Sequence, residues 1–282
     1  MNEPTQKKEP SSLKARVISG VLLFSGLILI LVCGGWVFAS VCSLCLIRAI
    51  YEELNILTIS GHKPVWWVNF VGLIISTPLM YFYSPSLMLP ILILLSLCAL
   101  FTILIRKEPK LLDLFYTLLP LITIVLPGLC LFSFLTLSPK SYQLYMLVLL
   151  FILPISNDFF AFFIGNHFRG PKLCPNVSPK KTISGAIGGL LGGIICSLIT
   201  TIIFSLTTEL NLPNLFVVSI FALIGSVACQ MGDLLASLIK RSCNVKDFSN
   251  IFPGHGGMLD RIDSILVSVI LIYCFKNVLT LF

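Results

Sequence analysis

Long apolar segments recur along this chain from residue 17 onward, separated by short polar stretches. They are apolar on all sides, without the alternation that marks the strands of an outer-membrane barrel. A helix needs roughly 20 such residues to cross a hydrocarbon core of about 30 Å. The pattern predicts an all-α polytopic membrane protein with about nine transmembrane helices, at about 17–33, 36–51, 65–82, 86–105, 114–136, 141–164, 182–206, 214–240 and 262–281.

The composition supports this class, since 57% of the 282 residues are hydrophobic and only 11% are charged. A soluble domain carries about 25% charged residues. The polar positions concentrate in a tail at 1–16 and in two loops at 165–181 and 241–261. They divide the chain into the tail, about five membrane helices at 17–140, and a second set of membrane helices at 141–282 that carries both loops.

The lysines and arginines indicate how the helices are oriented, because cytoplasmic loops of membrane proteins are enriched in these residues. With nine alternating spans and the N-terminus inside, seventeen of them fall on the cytoplasmic side, and only Lys140 and Lys276 fall outside. We therefore predict a cytoplasmic N-terminus and a C-terminus outside; in a bacterium this is the cytoplasmic (inner) membrane. This topology explains the net charge of +7, so a nucleic-acid partner is not expected.

Several residues within or beside the predicted helices suggest local structure. Pro120 and Pro127 are expected to kink the fifth span, since proline removes a helical hydrogen bond. Closely spaced glycines near the start of the seventh span let helix backbones approach in lipid, so we assign them to packing. Arg48, Glu52 and Glu53 are interpreted as part of a polar loop after the second span.

Two carboxylates interrupt the apolar segments, Asp158 in the sixth predicted span and Asp233 in the eighth. A carboxylate at membrane depth is costly and usually faces a polar cavity. Each lies about six or seven residues before the cytoplasmic end of its helix, which places it roughly 10 Å below that end at 1.5 Å per residue. We therefore expect both carboxylates to face one cavity that opens to the cytoplasm.

The densest polar chemistry lies between Ser237 and Asp263, on the end of the eighth span, the following loop and the start of the ninth. Lys240 follows Asp233 by seven residues, so both lie on one helix face and Lys240 is predicted to stand above Asp233 at the cavity mouth. The loop contains His255 within a glycine-rich turn. The other charged residues of the segment are Arg241, Lys246, Asp247, Asp260 and Arg261.

Carboxylates mixed with lysines and arginines are typical of a site for a metal-bound polyphosphate. Mg²⁺ is usually held by one or two carboxylates together with phosphate oxygens, and basic side chains neutralise the remaining charge. The residues thus predict a metal-dependent membrane enzyme that acts on phosphates at the cytoplasmic face.

The same residues resemble the signature of the phosphatidate cytidylyltransferases (CDP-diglyceride synthases). Upstream, the run from Ser178 to Thr182 with Gly185, and the span that contains Asp158, are also similar to family segments. Phe159, Phe160 and Phe162 stand where the family pattern has small or polar residues and a tyrosine. The signature positions are Ser237-x-Ile239-Lys240-Arg241, Lys246-Asp247-x-Ser249 and Pro253-x-His255-Gly256-Gly257-x-x-Asp260-Arg261-x-Asp263.

The resemblance implies that CTP and phosphatidic acid react to give CDP-diacylglycerol and pyrophosphate, with Mg²⁺ as cofactor. By similarity, Asp233 and Asp260 are expected to be metal ligands, with Asp263 and Asp158 as supports, and a two-metal site would also fit. Lys240, Arg241, Asp260 and His255 are the expected catalytic residues. The expected phosphate-binding and substrate-binding residues are Lys180, Lys181, Ser237, Lys240, Arg241, Lys246 and Arg261. Membrane lipids are expected partners, and a homodimer is compatible with the family.

Two other functions are open at this point. A CTP-dependent polyprenol or phytol kinase shares membrane-embedded carboxylate chemistry, although the full signature argues against it. An ion-coupled transporter with Asp158 and Asp233 as coupling acids is a second alternative. A pure transporter is expected to carry its carboxylates nearer the bilayer midplane and to have less polar loop chemistry.

Overall fold

A computed structural model describes residues 13–82, 87–252, 254 and 256–279 of the chain. Within these ranges the chain is helical except for a small β hairpin and short connections. The helices are α1 (Leu13–Cys33), α2 (Gly35–Ile59), α3 (Trp66–Phe82), α4 (Met88–Leu104), α5 (Leu111–Pro120), α6 (Leu126–Ser133), α7 (Lys140–Phe168), α8 (Ile183–Thr207), α9 (Leu215–Ser242) and α10 (Leu259–Leu279).

Helix lengths and composition support the predicted membrane class. Among the described residues, four helical segments are long and apolar enough to cross a membrane, namely Leu111–Thr136, Lys140–Phe168, Ile183–Thr207 and Leu215–Ser242. Shorter apolar helices accompany them, among them Met88–Leu104. The all-α class is therefore confirmed, whereas the count of nine spans and the sidedness of the termini stay predictions.

The surface of the helix bundle is apolar, the reverse of a protein surrounded by water. Phe101 on α4, Leu22 on α1 and Leu206 on α8 leave between 65% and 81% of their surface exposed. Large apolar side chains are exposed on each of α1 to α5 and α7 to α10, which is unusual for a soluble monomer. In a bilayer these side chains contact hydrocarbon, which carries no hydration cost.

The fifth predicted span is interrupted between its two prolines, where the sequence predicts a kink. α5 ends at Pro120, a π-helical turn covers Leu121–Val125, and α6 begins with Leu126 and Pro127. Because proline donates no backbone hydrogen bond, the wider π turn accommodates the break without ending the span.

The predicted polar loop after the second span is wrong for Glu52 and Glu53. α2 continues to Ile59, and both glutamates lie inside it with at most 1% of their surface exposed. The charge suggested a loop, but both carboxylates have tertiary hydrogen-bond partners that make helical burial feasible. Arg48, one turn earlier, lies in the same helix and pairs with Glu52, Nε to Oε1 at 3.2 Å.

The glycines of α8 pack against α7, as predicted. A Cβ on Gly185 would lie 2.7 Å from the carbonyl oxygen of Ala161, and one on Gly188 would lie 2.6 Å from Ile164. Gly192 faces the ring of Phe160 in the same way. Small residues thus bring the two backbones together where lipid gives no hydrophobic drive for association.

The basic loop predicted at 165–181 is a β hairpin with a preceding extension of α7. Strands β1 (Lys172–Cys174) and β2 (Ser178–Thr182) pair antiparallel, with Lys172 opposite Thr182. Thr182 then caps α8, because its side-chain oxygen accepts a hydrogen bond from Gly185 N at 3.1 Å. The hairpin is therefore anchored directly to the start of a membrane helix.

The connections rich in basic residues lie at one end of the bundle. Arg106 donates to the carbonyl of Lys63, which joins the α4–α5 connection to the α2–α3 connection. Arg241 at the end of α9 donates to the carbonyl of Val177 in the hairpin at 3.4 Å. α10 begins at this end and packs against α2, α6, α7 and α9. The charge distribution assigns this end to the cytoplasm, and that assignment stays a prediction.

Candidate active site

A cavity of about 590 Å³ opens between α7, α8, α9 and the hairpin. Its walls combine carboxylates and amides from the membrane helices with lysines from the hairpin. The charged and polar residues that line it are Asp158, Asn166, Lys172, Lys180, Lys181, Thr182, Gln230 and Asp233. A cavity of this size, with several charged side chains in its lining, suits a ligand as large as a nucleotide.

Asp158 and Asp233 both line this cavity, so the predicted convergence of two carboxylates from separate helices is confirmed. Each lies well inside its own helix, and the cavity is what makes their position tolerable. Their like charges act on each other electrostatically, and Lys181 and Arg261 act on Asp158 with the opposite sign. The cavity therefore brings two carboxylates together with basic side chains of opposing charge.

Lys181 is the lysine that contacts Asp233. Its Nζ lies 2.5 Å from Oδ2 of Asp233, and both side chains are about one quarter exposed. The sequence placed Lys240 above Asp233, and that prediction is wrong: the Lys240 ammonium turns away to α10. The cation comes instead from the hairpin, and helical periodicity in the sequence cannot predict where the hairpin lies.

Lys240 and Asp260 form a buried ion pair between α9 and α10. Nζ of Lys240 lies 2.6 Å from Oδ1 of Asp260, and the two side chains are 11% and 4% exposed. The other oxygen of Asp260 accepts hydrogen bonds from Phe248 N and Gly257 N, each at 2.9 Å. Asp260 therefore fixes the loop between the two helices, and its predicted role as a metal ligand stays a prediction.

Asp263 lies one turn further along α10 and faces the same group of carboxylates. It interacts electrostatically with both Asp233 and Asp158, and its Oδ1 accepts from Ser264 N at 2.8 Å. The hydroxyl of Ser264 is also 3.4 Å from Oδ2 of Asp158. α7, α9 and α10 thus bring three aspartates into electrostatic range of one another.

The remaining predicted phosphate-binding residues differ in their position relative to the cavity. Lys180 is on the cavity wall and exposed, whereas Lys246 and Arg261 are exposed outside its lining. Ser237 is one helical turn beyond Asp233 on α9. The described residues do not include Pro253 or the predicted catalytic His255.

Arg241, predicted to bind phosphate, has structural contacts as well, and its predicted role stays a prediction. Its guanidinium donates to the carbonyl of Val245 at 3.0 Å and to that of Val177 at 3.4 Å. These contacts hold the hairpin and the α9–α10 loop together. The side chain is nevertheless exposed, so its contacts do not prevent it from meeting a ligand phosphate.

Oxygen donors at the cavity floor fit the predicted magnesium ion in type. The described residues contain no group of three His, Cys, Asp or Glu side chains with the geometry of a metal site. Mg²⁺ does not need one, because it is commonly held by one or two carboxylates plus substrate phosphates and waters. Asp158 and Asp233, which share the cavity and repel each other, provide such a pair.

A buried amide network beside the aspartates was not predicted. Gln230 donates to the side-chain oxygen of Asn157 at 3.0 Å and to the carbonyl of Ala186 at 2.9 Å. Asn157 in turn donates to the carbonyl of Ser226 at 2.7 Å. The network ties α7, α8 and α9 together at the cavity wall, which Gln230 lines. Uncharged amides carry no strong sequence signal, although Asn157 adjoins Asp158.

The phenylalanines that depart from the family pattern have separate positions. Phe160 fills the space left by Gly192, Phe159 points outward with 62% of its surface exposed, and Phe162 lines the cavity. The departure near Asp158 thus includes one aromatic side chain, that of Phe162, in the cavity lining.

Comparison with known proteins supports the resemblance in the signature. Three relatives are named phosphatidate cytidylyltransferase. They come from Aquifex aeolicus (37% identical over 129 residues, 46% of each chain), Rickettsia conorii (36% over 145 residues, 50% of this chain and 61% of the relative) and Bacillus subtilis (38% over 118 residues, 42% of each chain). These alignments span about half the length of the relatives.

A broader match covers nearly the whole chain. The model of the cytidylyltransferase family matches residues 14–279, which include the whole signature and, apart from the first residue of α1, every helix described above. The shared region contains both walls of the cavity, the hairpin and the α9–α10 loop. The chain belongs to the cytidylyltransferase family.

Proposed function

We propose that this protein transfers a cytidylyl group from CTP to phosphatidic acid, giving CDP-diacylglycerol and pyrophosphate at the cytoplasmic face of the membrane. A phosphate oxygen of phosphatidic acid forms a bond to the α-phosphorus of CTP. The bond from that phosphorus to the bridging oxygen breaks, and pyrophosphate leaves with the electron pair. The attacking phosphate is already ionised, so no protein group has to remove a proton from it.

The observation that carries the proposal is the ion pair of Lys181 and Asp233 beside Asp158 in a cavity large enough for a nucleotide. Two polyanions have to meet for this reaction, so their repulsion is the main obstacle. Lysines from the hairpin and a divalent cation held by the aspartates supply the opposing charge. The names of the relatives agree with this chemistry.

Each wall of the cavity has a role in the proposed reaction. Lys180 and Lys181 bind phosphate oxygens of CTP, and Asp158 and Asp233 are the residues that would hold Mg²⁺. When bound, the cation withdraws charge from the phosphorus and from the leaving pyrophosphate. Lys240 and Asp260 keep the neighbouring loop in place, so that the groups lining the cavity are fixed before the substrates bind.

The depth of the cavity suits a substrate that stays in the bilayer. Asp158 and Asp233 lie within helices long enough to span a membrane, so a lipid phosphate reaches them from the side without leaving the headgroup region. The acyl chains remain among the exposed apolar side chains of the helices. We therefore also propose a multi-pass protein of the cytoplasmic membrane, active on its cytoplasmic face.

The proposal is tested with the purified protein in detergent–lipid micelles, CTP, Mg²⁺ and phosphatidic acid. It predicts a CDP-lipid and one pyrophosphate per lipid formed, and no product after chelation of the metal. Replacement of phosphatidic acid by a polyprenol or phytol tests for the lipid kinase, which would release CDP instead. Folded protein that gives no CDP-lipid, or that phosphorylates the alcohol, contradicts the proposal.

A further inference from the structure

Glu52 on α2 reaches the loop that precedes α10, although some 200 positions of sequence separate them. Oε1 accepts hydrogen bonds from the hydroxyl of Ser249 at 2.6 Å and from Met258 N at 3.1 Å. Oε2 accepts from Leu259 N at 2.9 Å. The side chain has no exposed surface, and Arg48 donates to it from one turn earlier. Both carboxylate oxygens are thus engaged.

The position of this carboxylate has a clear electrostatic reason. Met258 N and Leu259 N lie at the beginning of α10, where helical amides have no partner within the helix. An anion is stabilised there by those amides and by the helix dipole. Glu52 therefore acts as an N-terminal cap for α10 that comes from a different helix, and this explains how a glutamate is tolerated inside an otherwise apolar bundle.

The two glycines of the signature, Gly256 and Gly257, leave room for two carboxylates that approach the turn closely. A Cβ on Gly257 would lie 2.5 Å from Oε2 of Glu52, and one on Gly256 would lie 2.8 Å from Oδ2 of Asp260. Gly256 also has φ of +82°, which disfavours other residues. The turn thus has no side chain where Glu52 and Asp260 approach it.

Glu52 and Asp260 together accept hydrogen bonds from three successive backbone amides. Asp260 takes the amide of Gly257, and Glu52 takes those of Met258 and Leu259. Displacement of Glu52 would release the start of α10, and with it the backbone that carries Asp260. The ion pair of Asp260 with Lys240 depends on that backbone.

We propose that Glu52 is a positioning residue of the active site, which sets the α9–α10 loop and the first turn of α10 from outside the signature. The effect on catalysis rests on the proposed function, whereas the effect on the loop does not. A shift of about 1 Å in a group remote from the reacting atoms lowers rates by about 100-fold when positioning controls catalysis.

The test compares Glu52→Gln with Glu53→Gln, its neighbour in sequence. In Glu52→Gln, one carboxylate oxygen becomes an NH₂ group, which cannot accept a hydrogen bond. At least one of the loop groups that now donate to Glu52 would therefore lose its acceptor. Glu53 is equally buried, but among the described residues it accepts a hydrogen bond only from Thr123 on the fifth span, at 3.0 Å, and one of its oxygens has no partner. An amide at position 53 can still accept that bond.

Two readouts are measured in the full-length protein. Hydrogen–deuterium exchange reports the loop directly, and we expect exchange of the 248–259 amides to be at least about tenfold faster in Glu52→Gln and unchanged in Glu53→Gln. Steady-state kinetics report the site, and we expect kcat to fall at least about tenfold in Glu52→Gln, with a smaller change in the KM for CTP. Ser249→Ala, which removes one of the bonds, is expected to change both readouts in the same direction by less.

The outcomes separate the possible roles. Equal exchange and equal kcat in Glu52→Gln and Glu53→Gln would overturn the proposal. A lower melting temperature in Glu52→Gln without faster exchange at 248–259 would also overturn it, because the role would then be general stability. If Glu52→Gln fails to fold, Ser249→Ala serves as the test. Wild-type exchange and wild-type kcat in Ser249→Ala would then overturn the proposal. If the wild-type protein makes no CDP-lipid, the exchange experiment still tests the loop, and the failure belongs to the proposed function.

Discussion

Lys181 and Asp233 connect the β hairpin to a membrane helix, with Nζ of the lysine 2.5 Å from Oδ2 of the aspartate. The pair holds β2 over the cavity and places one positive charge beside two aspartates. A substrate phosphate that enters the cavity would compete with Asp233 for the ammonium of Lys181, and Asp233 would then be available to hold a divalent cation. The pair thus places in the cavity, before any substrate binds, both an ammonium group for a phosphate and a carboxylate for a cation.

Replacement of Lys181 by methionine is expected to lower kcat/KM for CTP by about 100-fold, since one charge-stabilising group is worth about that much in comparable sites. The measurement is CDP-lipid formation at saturating phosphatidic acid. Lys110→Met, at an exposed lysine on the α4–α5 connection that does not line the cavity, is the control and is expected to keep wild-type activity. Equal activities of the two variants would show that Lys181 does not act on the substrate.

Asp233→Asn is expected to abolish turnover and to leave the thermal stability of the protein almost unchanged. The aspartate is about one quarter exposed, and its partner Lys181 can be solvated when the charge is lost. Activity and thermal unfolding are measured on the same detergent-solubilised sample. Near-normal turnover in this variant would remove Asp233 from the proposed metal site.

Asp260→Asn is expected to abolish turnover and also to destabilise the protein, by about 3 kcal/mol, because it leaves Lys240 buried without its carboxylate. Faster proteolysis of the α9–α10 loop should accompany the loss. The informative result is the difference in stability between the two variants, since only Asp260→Asn is expected to be destabilised. A variant as stable as wild type would mean that the Lys240–Asp260 pair does not hold the loop.

Gly189→Ala is expected to destabilise the packing of α7 on α8 by about 1–3 kcal/mol, as overpacking of a tight contact does. A Cβ at this position collides with the side-chain oxygen of Asn157, which Gln230 needs as an acceptor. Gly26→Ala in α1, where a Cβ meets nothing within 4 Å, is the matched control and should unfold at the wild-type temperature. Identical unfolding temperatures for both variants would argue against glycine-mediated contact.

The sequence predicts the part of this site that depends on helices alone. Asp158 and Asp233 could be placed in one cavity because each is at a known depth in an apolar helix. The partner of Asp233 could not be predicted, because the hairpin that carries Lys181 has its position set by tertiary contacts. Lys240 lies on the expected helix face, but the buried carboxylate of Asp260 competes for it.

Glu52 shows a different limit of the sequence. A charge after an apolar segment is usually at a membrane surface, so Glu52 and Glu53 are interpreted from the sequence as loop residues. The burial of Glu52 depends on donors at Ser249, Met258 and Leu259, which lie at the opposite end of the chain. The local sequence pattern contains no information about such distant partners. The glycines of the signature indicate only that a turn is present, and not that Glu52 approaches it.

The central claim is that the α-phosphate of CTP is transferred to phosphatidic acid in the cavity of Asp233 and Lys181. The most direct measurement incubates wild-type protein and Asp233→Asn with phosphatidic acid, Mg²⁺ and CTP that is labelled either at the α- or at the γ-phosphate. The account predicts that α-label appears in the lipid fraction, that γ-label appears only in pyrophosphate, and that the variant transfers neither. Transfer of γ-label to lipid, or equal transfer of α-label by the variant, would contradict it.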